Sequence, residues 1–150
     1  MPDFCLIPGA YIRKRREAAG LSIADVAARF VTTPESSELD RIHWLTQIEA
    51  GILPATFATL TALRAMFRFD WDVLEHLEAI TTGRNCPPPQ LCRVCACSEY
   101  DACLEQSGRT CAWAEPDLCT ACAHPGCIDN AASAPRPSND PPAIAAGAAA

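Results

Sequence analysis

Apolar residues recur at helical spacing through the first eighty positions, and each run stops at a residue that ends helices. In "GAYIRKRREAAG" (9–20) a polar, basic face runs along one side and small residues along the other, with Gly20 as a C-terminal stop. Ser22 is placed to cap "IADVAARF", where Ile23, Val26, Ala27 and Phe30 share one face. "VTTPESS" breaks the pattern with Pro34 and a cluster of turn formers. A third helix is predicted over about 38–50, with Leu39, Ile42, Leu45 and Ile48 on its core stripe and Gly51 after it. Thr56 caps a fourth, with Phe57, Leu60, Ala62, Leu63 and Phe67 turned inward. Asp70 caps a fifth, along which Val73, Leu74, Leu77 and Ile80 repeat. The pattern therefore predicts an all-α, five-helix domain over residues 8–81.

Beyond it the composition changes. Pro87, Pro88 and Pro89 fall in a linker expected over 82–90. Eight of the ten cysteines then lie between Cys92 and Cys127, which marks residues 91–127 as a separate cysteine-rich module. Residues 128–150 are rich in alanine and proline, hold almost nothing to bury, and are expected to be a disordered tail. The net charge of −6 creates no field that would steer the whole molecule to nucleic acid, so DNA binding has to be argued from a motif. No run approaches the roughly 18–20 apolar residues that span a bilayer. The first residues put an acid before the basic run, the reverse of an export signal, so a cytoplasmic protein with reduced thiols is expected.

In that compartment clustered cysteines point to metal or redox chemistry more than to structural disulfides. Cys92 and Cys95 form one CxxC knuckle and Cys119 and Cys122 another, twenty-three residues apart. Two such knuckles allow four thiolates to close a tetrahedron around Zn²⁺. Cys97, Cys103 and Cys111 lie between them and define a candidate second metal or redox site. A fourth ligand there can come from Asp101, His124 or Cys127, or from a thiolate shared with the first metal. An iron–sulfur cluster with one non-cysteine ligand and a Cys103–Cys111 disulfide are the alternatives. Trp113 and Leu118 are expected to supply what apolar core so short a module has.

The order of "RREAAGLSIADVA", "WLTQIEAG" and "LPATFATLTALRAMFRFDWDVLEHL" resembles the lambda-repressor/Cro-like (XRE-type) helix-turn-helix family over about residues 11–80. Arg16, Gly20, Leu21 and Ser22 match the end of its first helix and the Gly-Leu-Ser turn. Val26 and Ala27 match the pair on its second helix, and Ile48, Glu49 and Gly51 the close of its recognition helix. The connection between helices 2 and 3 is longer than the family's usual tight turn. Ile23 stands where a phosphate-contacting Gln is common, and Trp44 lies within the third helix. The resemblance implies an internal Arg16–Glu49 ion pair. It implies a candidate double-stranded DNA surface of Arg13, Lys14, Arg15, Ser22, Arg41, His43, Thr46 and Gln47, presented by a homodimer. Trp44 is expected to pack on the long connection. The cysteine block is similar to small modules of prophage-type bacterial proteins.

Catalysis is not expected. A thioredoxin-like use of CxxC needs a βαβ setting, and no strands are predicted beside Cys92 or Cys119. A zinc deaminase needs an H-x-E followed by a P-C-x-x-C; His76-Leu77-Glu78 has the first spacing, but leucine and not proline precedes both CxxC pairs. No phosphate loop, nucleophile elbow or dinucleotide fingerprint occurs. The expected function is a DNA-binding transcriptional regulator with a zinc-stapled module. The alternatives are a protein–protein adaptor that docks through the cysteine module, and an iron–sulfur or redox-sensing regulator.

Overall fold

The computed structural model describes residues 6–104 and 107–124. Among them the chain is mostly helical and carries one small sheet. Five helices come first: α1 (Pro8–Ala18), α2 (Ile23–Arg29), α3 (Glu38–Glu49), α4 (Phe57–Met66) and α5 (Trp71–Thr81). A two-stranded antiparallel hairpin, β1 (Trp113–Glu115) and β2 (Leu118–Cys119), and a single-turn α6 (Thr120–Ala123) follow in the cysteine-rich part. The tail expected over 128–150 lies outside the described residues, as do Cys5 and Cys127.

The helix ends follow local chemistry. Pro8 occupies the first turn of α1, where its missing N–H costs no helical bond. Ser22 and Asp25 form a reciprocal capping box, the Asp25 N–H donating to the Ser22 hydroxyl at 3.1 Å and the Ser22 N–H to the Asp25 carboxylate at 2.8 Å. Ser37, Thr56 and Asp70 cap α3, α4 and α5 through their side chains. Gly20 and Gly51, at φ of 72° and 73°, turn the chain out of α1 and α3 in the left-handed region.

The core joins Tyr11 and Ile12 of α1, Val26 and Ala27 of α2, Leu45 of α3, Leu63 of α4 and Val73, Leu74 and Leu77 of α5, with Phe30, Phe67 and Phe69 between elements. The Tyr11 ring is fully buried, and its hydroxyl accepts the Asp70 N–H at 2.9 Å, tying α1 to the start of α5. Burial pushes that phenol up to about 12. At Gly9 a Cβ would stand 2.2 Å from the Ile48 carbonyl oxygen, so α1 and α3 touch backbone to backbone. Two turns along the same face Arg16 meets Glu49 bidentately, Nε–Oε1 at 2.7 Å and Nη2–Oε2 at 2.9 Å, with both side chains more than 90% buried. The third guanidinium nitrogen donates to the Leu21 carbonyl at 2.7 Å and holds the turn into α2.

Four expectations need correction. The chain is not all-α, because β1 and β2 form beside Cys119; strands of three and two residues are too short to leave an alternating pattern. Arg15, a candidate phosphate contact, is buried. Leu39, in the first turn of α3, is 77% exposed. Phe57 is 76% exposed and stacks on Trp71 at 5.5 Å on the rim instead of entering the core. Trp44 packs edge-on against Phe30 at 5.3 Å, where the long connection between α2 and α3 begins.

Truncating one partner of a buried pair leaves the other charge without compensation. Glu49→Ala is therefore expected to cost about 3–5 kcal/mol, measured by urea unfolding. Replacing Arg16 and Glu49 together with apolar residues of similar volume should cost clearly less.

Candidate metal centre

The first knuckle is built by backbone geometry. The Ala96 N–H closes on the Cys92 carbonyl at 2.8 Å, and the Cys92 N–H donates to the Cys97 carbonyl at 3.0 Å. Between them Ala96 takes a left-handed φ of 56°. Glycine would adopt that conformation with less strain, but the Ala96 methyl is fully buried in the helical core, a contact glycine would lose. The second knuckle starts where β2 ends: Cys119 pairs with Trp113 across the hairpin and caps α6, and Cys122 follows within that turn. Thr120 fixes the junction, its N–H donating to the Ala112 carbonyl at 2.8 Å. Arg93 holds the two knuckles together, its N–H on the Asp117 carbonyl at 2.7 Å and its guanidinium on Glu115 and Asp117.

The four predicted sulfurs, of Cys92, Cys95, Cys119 and Cys122, all lie within 4.8 Å of one another. A second set, Cys95, Cys97, Cys103 and Cys119, meets the same limit. A Zn–S bond of about 2.3 Å sets a tetrahedral S···S edge of about 3.8 Å, and the Cys95–Cys119 and Cys97–Cys111 separations are both 3.8 Å. The cysteine groups are positioned to bind a metal ion, and an all-sulfur donor set suits zinc and iron alike.

The electrostatics of the cluster point the same way. Burial opposes ionisation of Cys92, but N–H donors of Cys119, Cys95 and Val94 outweigh it and bring the thiol down to about 7. Contact with the Cys95 and Cys97 thiols, then the Arg15 guanidinium, drives Cys103 down to about 2. The same contacts raise Cys95, whose largest cause is Cys103, and Cys97 likewise. Burial lifts Cys111 to about 11 and Cys122 to about 12. Thiols this close oppose one another's ionisation. A cation among them is what would let all of them ionise.

The cluster is anchored to the helices by α1. Arg15 donates from Nη2 to Asp101 at 2.6 Å, from Nη1 to the Cys95 carbonyl at 3.3 Å and from Nε to the Arg68 carbonyl at 3.2 Å. Arg15 and Asp101 side chains are each 7% exposed, and Arg68 reaches the other Asp101 oxygen at 3.2 Å. Lys14 donates to the Arg93 carbonyl at 2.8 Å. Leu91 and Ala96 are part of the helical core itself. Nothing in the sequence pattern announced Arg15–Asp101, because a contact across 86 positions leaves no periodicity.

The other predicted residues fall as follows. Asp101 is committed to its arginines and His124 is exposed at the end of α6. Cys86 is apart from both sulfur sets, and its thiol faces the Arg84 carbonyl. Cys103 and Cys111 are free thiols joined through backbone, the Cys111 N–H on the Cys103 carbonyl at 2.9 Å and the Cys103 N–H on the Cys111 sulfur at 3.2 Å. Of the candidate DNA surface, Arg13 and His43 are exposed and Gln47 half-buried. Thr46 is exposed with its hydroxyl on the Ile42 carbonyl. Ser22 serves its cap. Arg41 donates to the Ala27 carbonyl at 2.8 Å and to the Ser36 carbonyl, and so stitches the α2–α3 connection. Arg15 is inside the molecule, where it cannot reach a phosphate.

Metal binding of this kind is coupled to folding and is worth on the order of 10–16 kcal/mol in small zinc domains. Stripping the metal with a strong chelator should unfold residues 91–124 while the far-UV signal of α1–α5 persists; circular dichroism and amide exchange check this. Arg15→Ala should destabilise the metal-loaded protein in denaturant titration, by leaving Asp101 with only the exposed Arg68, and by more than Lys14→Ala does.

No family model, curated protein or solved structure matches this chain.

Proposed function

We propose that this chain is a DNA-binding transcriptional regulator, with a five-helix, lambda-repressor/Cro-like domain and a zinc-bound module docked on α1. The observation that carries this is the buried Arg16–Glu49 pair, which joins the end of α1 to the end of α3 where the resemblance expects it. The Ser22 capping box and the tight α2–α3 packing support the same assignment. In that arrangement α3 is the helix that enters the major groove, and its outer face offers His43, Thr46 and Gln47 to base edges. Arg13 is the exposed phosphate contact of α1. Zinc is the metal this function needs, because a closed-shell ion staples a module without redox chemistry. The reducing cytoplasm is the compartment that keeps its thiols available.

Selection of bound sequences from a random DNA pool tests the proposal. A homodimer should enrich paired half-sites about 34–36 Å apart. With so few free cations the affinity should fall only gently with salt, at about −0.9 in log K per log salt for each phosphate contact. His43→Ala with Gln47→Ala should abolish sequence preference, whereas Arg13→Ala should weaken all sequences alike. If no enriched DNA retains the protein at low salt, DNA binding is excluded.

One observation favours a second function, an adaptor that binds protein through the cysteine module. Lys14, Arg15 and Arg41 all commit their charge to carbonyls or a carboxylate of the chain itself, and Glu38 and Asp40 are exposed in the first turn of α3. An acidic helix start repels phosphate. Failure of the DNA selection would leave this function as the one to pursue.

A further inference from the structure

Three cysteines between the knuckles, Cys97, Cys103 and Cys111, are too few for a tetrahedral site of their own. The geometry shows how the shortage is met. Cys95 and Cys119 belong to both sets of mutually close sulfurs, and their separation of 3.8 Å is the edge length of a tetrahedron around zinc. Two tetrahedra sharing that edge need six cysteines in all. Cys92 and Cys122 complete one, Cys97 and Cys103 the other.

We infer that the module holds two divalent, tetrahedral metal ions in one binuclear centre, bridged by the thiolates of Cys95 and Cys119. This rests on the metal-binding part of the proposed function and is independent of DNA binding.

A thiolate sulfur has lone pairs enough to bind two cations, and sharing reduces the negative charge to be buried. Six thiolates around two divalent ions leave a net charge of −2, where two separate sites of four thiolates each would leave −4. The shared position is also the best supported one. Cys95 touches Cys103 at 3.4 Å and Cys119 at 3.8 Å. Its carbonyl receives the Arg15 guanidinium, which places a permanent positive charge beside the cluster. The left-handed Ala96 swings Cys97 back toward the sulfurs of its own knuckle. Cys119, at the end of β2, is almost wholly buried and faces both sets. Cys111 lies outside both sets: it is 3.8 Å from Cys97 and accepts the Cys103 N–H, as a neighbour that steadies the second site.

The full-length protein, loaded with Zn²⁺ under reducing conditions and freed of loose metal, should contain two ions per chain by elemental analysis. Cys97→Ser with Cys103→Ser should retain one, and Cys111→Ser should retain both. Exchange with ¹¹³Cd²⁺ should give two cadmium resonances, each correlated with the Hβ protons of Cys95 and of Cys119. One ion per chain overturns the binuclear centre and leaves the knuckle site standing, whereas none overturns the metal reading itself. Two resonances without shared correlations, or Cys111 correlated in place of Cys119, overturn the bridge as assigned. The cadmium spectrum uses the wild-type chain, so its outcome does not depend on whether a variant folds.

Discussion

Two consecutive arginines on α1, both buried, hold this molecule together. Neighbouring helix positions point about 100° apart, so Arg15 and Arg16 reach different partners from one turn. Arg16 grips Glu49 at the end of α3 and the Leu21 carbonyl at the turn into α2. Arg15 grips Asp101, the Cys95 carbonyl and the Arg68 carbonyl. Removing two guanidinium groups from water is costly, and attraction offsets that only when geometry and hydrogen bonds are complete. Both sites meet the condition: one is a bidentate fork, and in the other every nitrogen of the guanidinium has an acceptor. One helix thus reaches both the helical core and the cysteine module. Its glycine at position 9 lets it lie against α3 backbone.

The module needs such an anchor because it has little to bury on its own. Its apolar interior is Leu118 and Ala121, with Trp113 and Ala123 partly covered, and the remaining members of that cluster are thiols. Leu91 and Ala96 are buried instead among the helices. A segment this short does not pay for chain ordering with apolar area, and cross-linking by metal is the usual remedy. Leu104, between Asp101 and Cys111, is exposed and adds nothing to that interior. What holds the described residues around it is Asp101, the Cys103–Cys111 pair and the sulfurs.

Local chemistry was legible in the sequence where it acts over one or two turns. Ser22, Thr56 and Asp70 cap the helices they were expected to cap, and Gly20 and Gly51 end two of them. The two knuckles were legible because CxxC spacing constrains four sulfurs by itself, and those sulfurs converge. Legibility failed where partners are far apart in the chain. Arg15 looked like a phosphate contact, yet only a partner 86 positions away decides that it is inside. Arg41 looked like a groove contact because helical periodicity cannot reveal that its guanidinium bends back onto the α2–α3 connection. The hairpin was missed since two residues of β2 carry no period. Phe57 and Leu39 follow the apolar pattern, but they lie in the first turns of their helices, where the core has no neighbour to offer.

Docking the module and presenting positive charge compete for the same few side chains. Arg13, Lys14, Arg15 and Arg16 form the longest basic run in the chain. The fold uses Arg16 for α3, Arg15 for Asp101 and Lys14 for the Arg93 carbonyl, and leaves Arg13 on the surface. Release of the module would expose Arg15 and Lys14 and carry Asp101 away from them. The charge uncovered on α1 would then lie on a helix still held to α3 by Arg16–Glu49. For the proposed regulator this sets an order of importance among its contacts. The shape of α3 and the hydrogen-bonding groups on its outer face must contribute more than bulk attraction to phosphate, because three of the four cations of α1 are committed within the fold, two to the cysteine module and one to α3.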